Sequence, residues 1–242
     1  SSRGLGDVYK RQGYTTGPLF YDVESHTKLC IEVLNELNLK NLILSGHSWG
    51  GLIALDLSTQ YENDMTICMN IAYPFLVGDL LLDYAKGNLD QCVEFLMKYG
   101  IYKMPETEIK TLGFGVKGSG FYGRSKGVIK SPYGTKTVED DPEREIKLYP
   151  LKRLFNQTEK EISSIDLKSC TNFRLKDDQI SNIQNVKYIF CDKDKLARFD
   201  AENIILKNVK PEEDVFILKE TGHFPYFEDP DQLEDVFKKI LN

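Results

Sequence analysis

The five residues Gly46-His47-Ser48-Trp49-Gly50 constrain this chain more than any others, because of what stands on either side of them. Before them, Asn41-Leu42-Ile43-Leu44-Ser45 is a short apolar run that reads as a buried strand. After them, Trp49 to Tyr61 carries Leu52, Ile53, Leu55 and Leu57 and reads as a helix. Met65–Ile71 is a second buried strand. Strand, helix and strand within about thirty residues make a βαβ unit, which implies a parallel sheet. The chain must turn sharply at Ser48, straining its backbone, and the flanking glycines let strand and helix approach without Cβ clashes.

The surrounding pattern extends the same architecture. Val23–Leu37 is predicted as an amphipathic helix with Asp22 as N-cap, an apolar stripe of Cys30, Val33, Leu34 and Leu37, and His26 on the polar surface. After Tyr73 the βα rhythm breaks. Helical stretches at Asp79–Ala85 and Leu89–Tyr99 precede a Gly- and Lys-rich segment and the acidic run 139–143, read as a solvated loop. Regularity returns with a strand at Val186–Cys191, a helix near Ala201–Asn208, a strand at Asp214–Lys219 and a last helix capped by Asp229 with Pro230 at its first position. The division expected is a leader at 1–20, core at 21–72, an inserted and largely helical cap at 73–185, and core again at 186–242. Ser1–Gln12 resembles translated adapter sequence and is set aside as non-native.

Composition excludes several classes of function. A net charge of −6 supplies no basic stripe for nucleic acid, and no apolar run is long enough to span a bilayer. The five cysteines are scattered, with no C-x-x-C pair, and read as reduced, mostly buried thiols of a cytoplasmic protein. Histidines and carboxylates show no metal-ligand spacing, so neither a metal nor a cofactor is predicted. GFGVKG at 113–118 matches G-x-G-x-x-G but follows no clear strand and opens no helix, and reads as a cap loop rather than a dinucleotide site.

Serine is a poor nucleophile unless a base takes its proton and a third group orients that base. The chain has only three histidines. His47 adjoins Ser48, so its ring points away from the hydroxyl, and His26 sits on a helix surface. His223 remains, on the Gly-containing loop after the last strand. The acid should leave the preceding strand, where Asp192 and Asp194 are both able to serve; Asp194, farther beyond the strand end, is the better placed. Asp79, after Met65–Ile71, is a minor candidate that otherwise reads as a helix N-cap.

GHSWGG at 46–51, the C-D-K-D turn at 191–194 and GHFPYFEDP at 222–230 resemble, in order, three landmarks of the α/β-hydrolase superfamily. Its G-x-x-D signature maps onto Asp194, with Cys191 departing from the glycine, and Trp49 is weakly similar to proline iminopeptidases. The resemblance implies the C-terminal part of that fold, a parallel sheet with equivalents of strands five to eight, without the first strands. It implies Ser48, His223 and Asp194 as a triad, and the backbone N–H of Trp49 as one oxyanion donor, the other lying in a segment this chain lacks. The expected activity is hydrolysis of a small-molecule ester or amide through an acyl-enzyme, weakened or absent here without the second donor. Tyr73, Phe75, Phe95 and Phe121 are candidate pocket residues, for which plain core packing is an equal reading. A non-catalytic ligand-binding protein and an acyltransferase are the alternatives, and oligomeric state is not legible.

Overall fold

The computed structural model describes residues 19–105, 142–156, 158, 160–181, 183–198 and 209–242. The leader to residue 18, the GFGVKG segment, the acidic run up to 141 and the helix expected near Ala201–Asn208 lie outside them.

Helix α1 spans Val23–Leu37 as read from sequence, because both ends carry stop signals. The Asp22 carboxylate accepts the Ser25 N–H at 2.7 Å, and Asn38 closes the helix in the left-handed region. Its buried face differs from the expected stripe: Val23, His26, Thr27 and Leu34 are buried, whereas Val33 and Leu37 are exposed. His26 is therefore not a surface residue. Its Nδ1 bonds the Asp22 carbonyl, the Thr27 hydroxyl donates to the Val23 carbonyl, and polar groups satisfied so locally can enter the core.

Strand β1 (Ile43–His47) runs two residues beyond the expected Ser45, since Gly46 and His47 pair with Cys68 and Met69 of β2 (Met65–Met69). Helix α2 (Trp49–Ser58) stops short of Tyr61 because the Ser58 and Thr59 hydroxyls take the carbonyls of Leu55 and Asp56. Strand β2 ends early because Asn70 turns to φ 48°. Among the described residues five helices follow: α3 (Asp79–Gly87), α4 (Leu89–Gly100), α5 (Pro142–Asn156), α6 (Lys160–Asn172) and α7 (Asp177–Ser181). Gly78, not Asp79, is the N-cap of α3; Asp79 only adds an acid to its first turn. Then come β3 (Val186–Cys191), α8 (Pro211–Asp214), β4 (Val215–Leu218), α9 (Pro225–Glu228) and α10 (Pro230–Leu241).

Among the described residues the sheet has four parallel strands in the order β1-β2-β3-β4. Alternation along the strands divides the core in two. Cys68, Tyr188 and Phe190 face the cluster of Leu52, Leu55 and Ile71, while Ile67, Ile189, Cys191 and Leu218 meet Leu233, Val236 and Ile240 of α10. Each fully buried aliphatic of this kind contributes roughly 1.5–3 kcal/mol, so both faces are well covered. All four strands end at the same edge, and the loops leaving that edge carry Ser48, Asn70, Asp194 and His223. In open parallel sheets this carboxyl edge is where ligands bind. No described helix is long and apolar enough to cross a membrane.

Candidate active site

Ser48 stands between β1 and α2 with φ 54° and ψ −122°, a strained conformation for a residue with a Cβ. Its surroundings hold it there. Its N–H donates to the Met69 carbonyl at 2.8 Å, and its carbonyl accepts the N–H groups of Gly51 at 2.9 Å and Leu52 at 3.3 Å. Gly46 is required, because a Cβ there would collide with the Gly50 carbonyl. Trp49 opens α2, whose first-turn N–H groups face outward from the helix end. Its indole N–H donates to the Ser169 hydroxyl of α6 at 2.7 Å, tying the helix that carries Ser48 to the inserted helices.

The loop after β3 separates the two candidate acids. Asp192 points toward solvent-facing amines, 3.9 Å from Lys193 and 4.0 Å from Lys219. Asp194 turns inward, with a fully buried side chain. Its Oδ1 accepts the N–H groups of Leu196 at 2.8 Å and Ala197 at 3.0 Å, and its Oδ2 lies 2.7 Å from His223 Nδ1. A carboxylate only accepts, so Nδ1 of a neutral His223 carries the proton and Nε2 is the basic nitrogen. No hydrogen bond joins the Ser48 hydroxyl to the His223 ring among the described residues.

His223 is held by its backbone as well as its ring. Its N–H donates to the Gly100 carbonyl at 2.5 Å, and its carbonyl lies 3.0 Å from Asn70 Nδ2 and 2.6 Å from His47 Nε2. His47 thus turns its ring to the histidine loop, 4.8 Å between ring centroids. Burial, then the neighbouring His223, pushes its pKa down to about 3, so it is neutral and donates through Nε2. Asn70 lies in no motif, and Glu228 lies inside GHFPYFEDP at 222–230 without a role assigned to it there. The cue for Asn70 was a polar residue closing an apolar strand, and for Glu228 an acid among aromatics just past His223.

Three of the aromatic pocket candidates lie in apolar clusters. Tyr73 and Phe75 are buried in the main core cluster, where the Tyr73 hydroxyl bonds both the N–H and the carbonyl of Leu175. Phe95 packs between Tyr84 and Tyr99. Phe121 lies outside the described residues. All five cysteines are free thiols, four of them buried. No group of three or more potential metal ligands occurs among the described residues.

A family model described as the alpha/beta hydrolase family matches residues 2–236, beginning inside the stretch set aside as a leader. Many solved structures share the fold. The enol-lactonase from Burkholderia xenovorans LB400 is 14% identical with a TM-score of 0.68, covering 96% of this chain and 78% of that one. A thermophilic esterase is 15% identical with a TM-score of 0.65, covering 94% and 75%. An esterase from Exiguobacterium antarcticum is 17% identical with a TM-score of 0.63, covering 97% and 80%. No curated protein matches the sequence. On the extent of the family match and the parallel sheet beneath it, the chain belongs to the alpha/beta hydrolase family.

Proposed function

We propose that this chain is a serine hydrolase that cleaves an ester or amide bond of a small molecule through an acyl-enzyme intermediate. The observation that carries this reading is the buried His223 Nδ1–Asp194 Oδ2 contact of 2.7 Å, at the sheet edge where Ser48 sits in a strained turn. In this reading Nε2 of His223 takes the Ser48 proton as Oγ attacks the carbonyl carbon. Asp194 keeps the ring in the correct tautomer and stabilises the imidazolium, which then protonates the leaving alcohol or amine. Water repeats the sequence and releases the acid. The Trp49 N–H supplies one donor to the oxyanion, in the positive field of the α2 N-terminus. The inserted segment 73–185 serves as the cap that shapes the substrate pocket. The likeness to esterases and a lactonase supports an acyl substrate.

A fluorophosphonate probe tests the reading. The expected result is one covalent adduct, mapped to Ser48 and lost in Ser48→Ala and His223→Ala. Folded wild-type protein that takes no label would overturn it.

A further inference from the structure

Glu228 closes the one-turn helix α9, five residues after His223, and is 3% exposed. A buried carboxylate is costly unless its lone pairs are filled. Four backbone N–H groups fill these. Oε2 accepts from Gly222 at 3.0 Å, Tyr102 at 2.9 Å and Lys103 at 3.0 Å, and Oε1 accepts from Phe224 at 3.2 Å. Two of these donors flank His223, and two lie in the strap that leaves α4. The strap is bound at three further points: the Gly100 carbonyl accepts the His223 N–H, the Tyr102 hydroxyl donates to Glu220 at 2.6 Å, and Lys103 pairs with Asp229 at 2.7 Å. The fit is tight, since a Cβ on Gly222 would strike the Gly100 carbonyl and come within 2.8 Å of Glu228 Oε1. Phe224 packs into the cluster of Val93, Met97, Leu148 and Leu151, so the inserted helices rest on the residue next to His223.

We propose that Glu228 is a positioning residue through which the strap at 100–103, and with it the inserted helices, sets the place of His223. The proposal rests on the serine hydrolase reading for its kinetic consequence. The carboxylate is suited to the task because it accepts in several directions at once and holds loop and strap on one side chain. A glutamine with its oxygen at the Oε2 place keeps the Gly222, Tyr102 and Lys103 donors but turns its amide nitrogen on the Phe224 N–H, so the residue next to His223 loses its acceptor and is pushed away.

Glu228→Gln, assayed well below its melting temperature on protein with a native near-ultraviolet spectrum, is expected to lower kcat and the fluorophosphonate labelling rate about 10- to 100-fold with KM nearly unchanged, as for a displaced catalytic group. The downfield NMR signal of the His223 Nδ1 proton should broaden through faster exchange with solvent. Glu234→Gln, which cuts an exposed ion pair to Lys238 on α10 and touches neither loop nor strap, should stay near wild type. Glu228→Gln that melts lower yet keeps wild-type kinetics and an unchanged Nδ1 signal would overturn the proposal. Wild-type protein that does not label contradicts the hydrolase reading instead, and the Nδ1 signal then still tests the positioning role. Should the variant not fold, hydrogen exchange of the wild type replaces it: the amides of Tyr102 and Lys103 should exchange at the same protected rate as those of Gly222 and Phe224, and rapid exchange of Tyr102 and Lys103 alone would overturn the proposal.

Discussion

His47 Nε2 lies 2.6 Å from the carbonyl oxygen of His223, so the residue before the candidate nucleophile props the backbone of the candidate base. The contact needs a proton on Nε2, and burial requires the ring to be otherwise neutral, with Nδ1 bare.

That requirement makes stability depend on pH. The folded pKa of His47 is about 3 and the ordinary value is 6.5. Below 6.5 the unfolded chain binds a proton that the folded chain refuses, so this contribution is complete above 6.5 and is lost as pH falls toward 3. Urea unfolding at a series of pH values should show wild type losing stability on acidification at up to about 1.4 kcal/mol per pH unit more steeply than His47→Gln. Parallel slopes would contradict the assignment.

The two aspartates of the 191–194 turn should behave differently. In Asp194→Asn an amide replaces the acceptor at His223 Nδ1, the ring favours the wrong tautomer, and kcat should fall about 10³- to 10⁴-fold. Asp192→Asn removes only surface ion pairs and should leave kcat close to wild type. Steady-state kinetics with a short-chain p-nitrophenyl ester on both variants separates them.

Gly46→Ala places a methyl group against the Gly50 carbonyl, where neither backbone can yield. It should cost about 1 to 3 kcal/mol as an overpacked site. Labelling of Ser48 should drop with it, because β1 and α2 are forced apart. Denaturant unfolding and probe labelling of the same preparation measure the two effects together.

Asp166 of α6 shares a face with the buried Ile162, Ser169 and Cys170, and burial pushes its pKa up to about 7. For a raised acid the sign reverses. The folded chain keeps a proton that the unfolded chain releases above 3.8, so stability falls as pH rises from about 4 to 7. Asp166→Asn should match wild type near pH 4 and exceed it above pH 7, by at most a few kcal/mol. Equal stabilities at both pH values would contradict this.

Elements with strong local signals were legible from the sequence. Helix α1 carries its cap at Asp22 and its stop at Asn38, α10 carries Asp229 and Pro230, and the buried strand Val186–Cys191 is an apolar run broken only by Lys187. The strand-to-helix turn at Ser48 was legible for the same reason, since Gly46 and the serine are local determinants of one backbone path. Apolar periodicity failed on α1, because His26 and Thr27 satisfy their polar atoms within the helix and are buried, a fact no hydrophobic scale encodes. The choice between Asp192 and Asp194 also needed three dimensions: both leave the same turn, and only the inward path past Leu196 and Ala197 delivers a carboxylate to His223. Glu228 and Asn70 were given no role from sequence because their decisive contacts are to backbone groups far along the chain, 126 residues away for Glu228 and Tyr102 and 153 for Asn70 and His223.

The central claim is that Ser48 carries the acyl group. The direct measurement is to mix the protein with a short-chain p-nitrophenyl ester, quench in acid within the first turnover and map the modified peptide by mass spectrometry. The account predicts one acyl group on Ser48, stoichiometric with a burst of nitrophenol and absent in Ser48→Ala. Nitrophenol release with no acylated Ser48 peptide, or an equal rate in Ser48→Ala, would contradict it.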